Sequence, residues 1–408
     1  MSYRKHRKNP CPDCGNAPVN HHVEKTTNIL TLWMDPLIRP IDRIWRYIEP
    51  TVNRFLNHRF LPSFYRLLTK LGLGRIAHEP DDKLTGRALC FWRECEARGI
   101  KVWEFQLFGM GRELFVAEWG GREYAFDNLP RPAERESSAL YWMDDKGRMR
   151  IEFEKAGIPV AHGGKYFSWS SLSRAFEKLT KPVIVKPHTG SRSRHTTTHI
   201  ETIEQLRVAF DKAKQLSPYI IMEEEHKGFV YRGTIIGGEV IGVIRREPAH
   251  VVGDGVSTVF ELLEEENSHP MRNGEIFHKI VLGDEADQEM QRQNIKLGDI
   301  PERGRVVTFT QKSSRGLGGG ITDVTDVIHA DNLEILKNIH TVLRDPLVGV
   351  DFMIEDIEKS WRDQDRCGVI ECNSMPFIEL HLFPLRGQVR DTASALCDIA
   401  FPGSKRLV

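Results

Sequence analysis

Net charge is the first thing this chain does without. Lysine plus arginine number 57 and aspartate plus glutamate number 57, so no global field draws the chain to nucleic acid and none is expected as a partner. Long apolar runs are missing too, since no stretch approaches the ~18 uninterrupted apolar residues of a membrane span. Cysteine is scarce and odd in number, seven in 408 residues, which does not make a disulfide framework. The basic start, Met1 to Lys8, runs into Pro, Cys and Asp rather than an apolar segment, so a secretory signal is not expected. A soluble protein of the reducing cytoplasm fits these absences. With 40% hydrophobic and 28% charged residues and no low-complexity tract, the chain is globular and too long for one ordinary core; two or three domains are expected.

The most informative residues lie near the tail. Gly349-Val350-Asp351-Phe352-Met353 and Ile370-Glu371-Cys372-Asn373-Ser374 each read as an apolar strand carrying acidic or amide oxygens. Strand side chains alternate faces, so Glu371 and Asn373 project together while Cys372 points away. If Asp351 occupies the neighbouring strand, three oxygens converge in a set that suits Mg²⁺, which keeps further positions for water and phosphate. The plainer alternative is two strands with polar residues on a wet face.

Upstream, residues 1–28 form a basic arm with Cys11-Pro12-Asp13-Cys14-Gly15 and then His21-His22. A Cys-x-x-Cys pair with a nearby His can hold structural Zn²⁺ at Cys11 and Cys14, or the thiols stay reduced on a flexible arm. Residues 29–80 read as a helical extension with Ile41, Ile44, Ile48, Val52 and Phe55 at helical spacing, cut into short helices by Pro36, Pro40, Pro50 and Pro62. Its arginine-rich stretch 36–76 either packs on the body with a solvated basic face, the favoured reading, or lies on an anionic membrane or partner. Residues 81–140 read as a small α/β domain: a helix through Ala88 to Arg98, a strand over Lys101 to Phe108, and two strands joined at Gly120-Gly121 as a hairpin. A Pro-rich linker, residues 129–132, follows. Beyond it stand Asp145-Lys146 opening a helix, the turn Gly157-Ile158-Pro159-Val160, and a buried strand Pro182 to Pro187. Lys186 in that strand must place its ammonium somewhere polar, against an anionic ligand or out in solvent.

The order of these motifs resembles the ATP-grasp superfamily, and most closely the ATP-grasp domain of cyanophycin synthetases and bifunctional glutathione synthetases, over residues 140–403. Asp145-Lys146 with Gly157 to Val160 is similar to the family's entry helix and turn, and Val185-Lys186-Pro187 to its phosphate-binding strand. Ile221 to Gly228 resembles the hinge whose backbone reads adenine, and Arg246-Glu247-Pro248-Ala249-His250-Val251-Val252-Gly253-Asp254-Gly255 is the most specific match. His278-Lys279-Ile280, Gly318-Gly319 leading to Asp323-Val324-Thr325-Asp326, and the two tail strands recur in the expected order.

The resemblance implies an α/β (α+β) ATP-grasp fold, with residues 141–225 as a lysine-strand and lid subdomain and 226–408 as a C-terminal subdomain carrying the metal site. It implies an ATP- and Mg²⁺-dependent ligase that makes a carboxylate into an acyl phosphate and joins it to the amine of an amino acid or peptide. Charge neutralisation dominates phosphoryl transfer, so cations and metal should lead the residue list. The resemblance places Lys146, Lys186, Gly190, Ser191, Ser193, Glu223, Glu224, Glu225 and His226 at the nucleotide, and Asp351, Glu371 and Asn373 at Mg²⁺. Arg246 and Arg232 are placed at the transferred phosphate, and His250 at a substrate carboxylate or the amine proton. The Gly-rich run Ser313 to Gly320 could cradle an anion through its amides.

Two positions depart from the family. The phosphate loop, His188 to Thr196, has one glycine and two arginines, which implies a stiffer and more cationic lid. Val230 stands where relatives have an acidic residue for ribose. No Gly-x-x-x-x-Gly-Lys-Thr loop exists, so a complete cyanophycin polymerase is not expected. The competing expectation is a nucleotide-binding regulatory or scaffold protein that has lost turnover. A homo-oligomer is expected.

Overall fold

The computed structural model describes residues 11, 19–30, 33–34, 51–81, 83–132, 143, 146–188, 194–274, 276–313 and 315–407. The strands named within them form four sheets with antiparallel pairing throughout, which makes the architecture α+β.

The first sheet runs β1 (Gly74–Ala77), β2 (Lys101–Leu107), β3 (Met110–Trp119) and β4 (Arg122–Asp127) in order. Trp119 lies opposite Arg122, and Gly120 and Gly121 both take positive φ, 57° and 73°. This is the expected hairpin, because only a turn with two left-handed residues follows the strands' own twist. The helix Gly86–Ala97 covers one face and packs against the C-terminal helix Thr392–Ala400, with Phe91, Trp92, Leu396 and Phe401 in one buried cluster. On the other face, Tyr65 stacks on Phe105 with ring centroids 4.6 Å apart.

Tyr65 comes from the basic helical extension, which departs from expectation in one respect. Pro62 does not cut it: the backbone is helical from residue 51 through Lys70, with a π-turn at Leu56–Phe60 just before Pro62. The wider turn absorbs the hydrogen bond that a proline cannot make. Pro36, Pro40 and Pro50 lie outside the described residues. Among the described residues, no helix is long and apolar enough to cross a membrane.

The second sheet carries the site. Its order is β13 (Gly320–Asp323), β10 (Glu239–Glu247), β9 (Phe229–Ile236), β14 (Leu347–Ile354) and β15 (Gly368–Asn373). Alternation divides its faces. Tyr231, Ile235, Val243, Val348, Val350, Phe352 and Cys372 join one buried cluster with Ile335, Leu336 and Ile339 of the helix Ala330–Leu343, and with Met149 and Phe153 of the helix Lys146–Lys155. Gly233 permits this approach, since a Cβ there would sit 2.7 Å from Leu336 Cδ1. The opposite face therefore receives Arg232, Asp351, Glu371 and Asn373.

A third sheet, β5 (Gly163–Tyr166), β8 (Ile220–Glu224), β6 (Val183–Pro187) and β7 (Thr197–Ile200), holds Lys186. The helices Trp169–Phe176 and Ile203–Ala213 back it, the latter started by a Thr202/Gln205 capping box. The two-stranded sheet, β11 (His250–Val252) with β12 (Val306–Thr308), follows the Arg246 strand.

Candidate active site

The strands β14 and β15 pair so that Asp351 lies opposite Glu371 and Gly349 opposite Asn373, with a bulge after Asp351. The convergence of oxygens anticipated for the tail strands is thus a matter of register, with Cys372 turned into the core. On its other side Asp351 lies opposite Arg232 of β9. The guanidinium grips the carboxylate through two hydrogen bonds, Nε to Oδ1 and Nη2 to Oδ2, the second at 2.8 Å. Both side chains are buried. Burial alone would raise the Asp351 pKa, but the charge and hydrogen bonds of Arg232, with Arg246 behind, hold it below the usual carboxylate range.

Arg246, two residues along β10 from the partner of Arg232, faces the same cluster. Burial lowers its pKa, opposed by Asp351 and Glu371 and reinforced by Arg232 and Arg315; a guanidinium stays charged regardless. Its Nη2 donates to the Ser313 carbonyl at 3.2 Å, which brings the Gly-rich run against the cluster. Lys146, at the start of its helix, reaches Glu371 with Nζ to Oε2 at 3.2 Å. Sequence positions 146, 232, 246, 351 and 371 therefore meet at one place.

Among the described residues, Arg232 Nη1 and Asn373 Nδ2 on this face are buried without a hydrogen-bond partner. An unsatisfied buried donor costs about 1–3 kcal/mol, so a cluster holding two of them is arranged for something beyond the protein. Three hard oxygen donors with cations beside them fit Mg²⁺ carrying phosphate.

On the third sheet, Lys186 Nζ donates to Glu223 Oε2, and both are buried. The polar partner of the lysine strand is thus the protein's own carboxylate across β6 and β8, where Ile221 lies opposite Lys186. The remaining hinge residues are heavily engaged. Glu224 accepts from the Thr180 amide at 2.8 Å, and Glu225 from the His199 amide at 2.7 Å. His226 Nδ1 donates to the Arg366 carbonyl at 3.0 Å while its Nε2 is buried without a partner. Burial lowers the His226 pKa and keeps the ring neutral. Gly228 allows the chain to pass here: its φ is 100° and a Cβ would meet Ile354 O at 2.2 Å.

Gly190, Ser191 and Ser193 lie outside the described residues, as does Cys14. His250 sits at the start of β11 with Nδ1 donating to the Pro248 carbonyl at 2.9 Å. It borders a cavity of about 640 Å³ lined also by Arg245, Glu247, Glu266, His269 and Arg386. Arg245 neighbours Arg246 along β10 and so points to the opposite face of that strand. Two charged residues near the cluster were not singled out as site residues in the sequence. Arg315 donates to Glu379 at 3.4 Å, and the burial of Glu379 raises its pKa. The place of Arg315 inside the Gly-rich run was the hint of the pair.

The chain matches no protein-family model. Over 265 residues it is 30% identical to the cyanophycin synthetase of Trichormus variabilis, a match covering 64% of this chain and 29% of that protein. It is 33% identical over 205 residues to the bifunctional glutathione biosynthesis protein of Clostridium perfringens, covering 48% and 26% of the two chains. The crystal structure of a bifunctional glutathione synthetase from Pasteurella multocida superposes with a TM-score of 0.62 at 23% identity, over 79% of this chain and 44% of that one. The chain shares the α+β ATP-grasp fold of that structure. It spans under a third of the length of the cyanophycin synthetase it matches.

Proposed function

We propose that the chain is an ATP- and Mg²⁺-dependent carboxylate–amine ligase acting on amino acids or peptides. The observation that carries this reading is the meeting of Asp351, Glu371 and Asn373 on paired strands with Arg232, Arg246 and Lys146 against them. Phosphoryl transfer to a carboxylate needs negative charge spread over many cations rather than a covalent catalyst, and that is the composition of this face.

In this reading Asp351, Glu371 and Asn373 hold Mg²⁺, which neutralises triphosphate charge when bound. Lys146 and Lys186 take phosphate oxygens, and His226 with the hinge backbone borders the base. A substrate carboxylate oxygen bonds to the terminal phosphorus as the bond to ADP breaks. The amine nitrogen then bonds to the acyl carbon, phosphate leaves, and the amine loses a proton. Arg246 and Arg232 present planar donors to the acyl phosphate. The resemblance to cyanophycin synthetase and glutathione synthetase supports amino-acid and peptide substrates.

The test is a pairwise screen of amino acids and dipeptides for release of ADP and phosphate, with products identified by mass spectrometry. One pair that yields both an amide and stoichiometric ADP establishes the ligase. ATP binding without release under every pair would favour the regulatory alternative.

A peripheral form of the enzyme has one observation in its favour. Arg66 is taken up by Glu123 and lies over Trp103, but Phe60, Phe64, Leu67 and Leu71 on the outward face of the same helix are exposed, with Arg59 and Lys70 beside them. An apolar stripe flanked by bases fits an anionic bilayer surface. Flotation with anionic liposomes, lost on Phe64→Glu with Leu67→Glu, supports this form; absence of flotation leaves the packed helix alone.

A further inference from the structure

Cys11, His21 and His195 place one ligand atom each within 4.8 Å of one another. The first two belong to the basic arm, while His195 lies two residues before β7 on the lysine-strand sheet. We propose that these three residues bind a zinc ion that fastens the N-terminal arm to the lysine-strand sheet, beside the loop between β6 and β7.

The chemistry of His195 argues for a ligand. Its ring is fully buried, and Nδ1 donates to the Lys212 carbonyl at 2.8 Å. That bond fixes the tautomer and leaves the Nε2 lone pair aimed at Cys11 Sγ, 3.7 Å away. Metal-bound histidines are oriented by this kind of bond to a carbonyl on the far nitrogen. In a tetrahedral zinc site the edge between a thiolate and an imidazole nitrogen is about 3.6 Å, so the observed spacing already matches coordination. The His21 ring meets that of His195 edge-on, with centroids 4.7 Å apart, which sets a second imidazole at the same point. One thiolate with two imidazoles is a soft to borderline donor set, suited to zinc and unsuited to magnesium.

His195 has a φ of 52°, in the left-handed region where histidine is enriched among non-glycine residues. The arm needs a fastening. In the helix at residues 21–30 no residue is buried, and Val23 and Leu30 are 60% and 58% exposed. Hydrophobic burial therefore does not seat it, and among the described contacts Asn28 Nδ2 donates to the Leu216 carbonyl at 2.9 Å, just past the helix Ile203–Ala213. A metal bond serves where a core is too small. The sequence supplies Cys14 at chelating distance from Cys11, but it lies outside the described residues and the site stands on the other three.

The full chain, saturated with zinc and then desalted over a chelating resin, is expected to hold about one zinc ion by mass-spectrometric metal analysis. Cys11→Ser, His21→Ala and His195→Ala should each lower this to under about a tenth, and His22→Ala should leave it unchanged. His195→Cys, which keeps a soft donor, should retain most of the metal, so that loss in His195→Ala is not merely misfolding. Cobalt in place of zinc should show thiolate charge-transfer absorption that Cys11→Ser abolishes, and a chelator should speed tryptic cleavage of the arm at least about tenfold. No retained zinc and no cobalt–thiolate band would overturn the proposal. Full zinc content in His195→Ala would overturn it too, because the arm alone would then hold the ion. None of these readouts depends on ligase turnover.

Discussion

Glu371→Gln and Asp351→Asn remove one carboxylate each from the same site, yet their structural costs should differ sharply. Glu371 is partly exposed and pairs with Lys146 at 3.2 Å. A pair of that kind contributes about 0–1 kcal/mol, so Glu371→Gln should leave the urea midpoint nearly unchanged. Asp351 is buried and gripped at two atoms by a buried Arg232. Removing its charge strands the guanidinium, at a cost of about 3–5 kcal/mol. Both variants should lower ADP release about a hundredfold or more, since in the proposed reading each loses a direct metal ligand, and even groups behind such ligands cost about 10–100-fold. A third variant separates fold from chemistry: Arg232→Met with Asp351→Leu replaces the pair by apolar volume, recovers most of the stability and should remain inactive. Urea denaturation followed by tryptophan fluorescence and a coupled ADP assay measure the two quantities. Glu371→Gln with unchanged turnover would refute the metal assignment, and Asp351→Asn as stable as Glu371→Gln would refute the buried-pair energetics.

Three further outcomes follow from other contacts. Glu223→Gln should destabilise the lysine-strand sheet by about 3–5 kcal/mol by leaving the Lys186 ammonium buried without its carboxylate, whereas Lys186→Met with Glu223→Leu should be near wild type in urea but lose ATP binding by calorimetry. Burial holds His381, whose Nε2 meets Thr234 Oγ1 at 2.7 Å, neutral with a pKa lowered to about 3. The unfolded chain binds that proton first, so stability is full above the ordinary histidine value and falls with acid, by about 2 kcal/mol between about pH 7 and about pH 5; His381→Gln should flatten that slope in urea titrations. Val230→Asp places a carboxylate two residues past Gly228, where the resemblance implies a ribose contact, and should tighten ATP about 2–10-fold, the worth of one net hydrogen bond, with no gain for a nucleotide lacking ribose hydroxyls.

The parts of the site that follow from local periodicity were legible in the sequence. Period two puts Glu371 and Asn373 on one face, and the Gly120-Gly121 turn defines a hairpin without any knowledge of the rest. What stayed hidden are the partners. Arg232 and Asp351 are 119 positions apart, and only the strand order β9–β14–β15 makes them neighbours. Lys186 visibly needed a polar partner, but that it is Glu223 depends on β6 pairing with β8. Cys11 and His195, 184 positions apart, carry no shared pattern at all. Pro62 shows the opposite failure, where a strong local rule gave way because a π-turn took up the missing bond.

The hidden partners share a form that bears on how ligands enter. In the proposed reading, Lys146 with Glu371, Lys186 with Glu223 and Arg232 with Asp351 each join a cation meant for phosphate to a carboxylate meant for the metal or the hinge. The pairs keep charges compensated, two of them buried and the Lys146–Glu371 pair partly exposed. An anionic nucleotide arriving alone must draw the cations from their carboxylates and leave those carboxylates uncompensated, and a metal ion arriving alone strands the cations in the same way. Entering together, the two supply a partner for every group released. ATP and Mg²⁺ should therefore bind cooperatively, with a coupling of about 1–3 kcal/mol, or about 5–150-fold in either affinity. Calorimetry with the non-hydrolysed analogue in the presence and absence of Mg²⁺ measures it once the affinity of Mg²⁺ for the free nucleotide is subtracted. Loss of coupling in Glu371→Gln locates it at this pair, and equal affinity with and without metal in the unaltered protein would show that the internal pairs do not hold the site in balance.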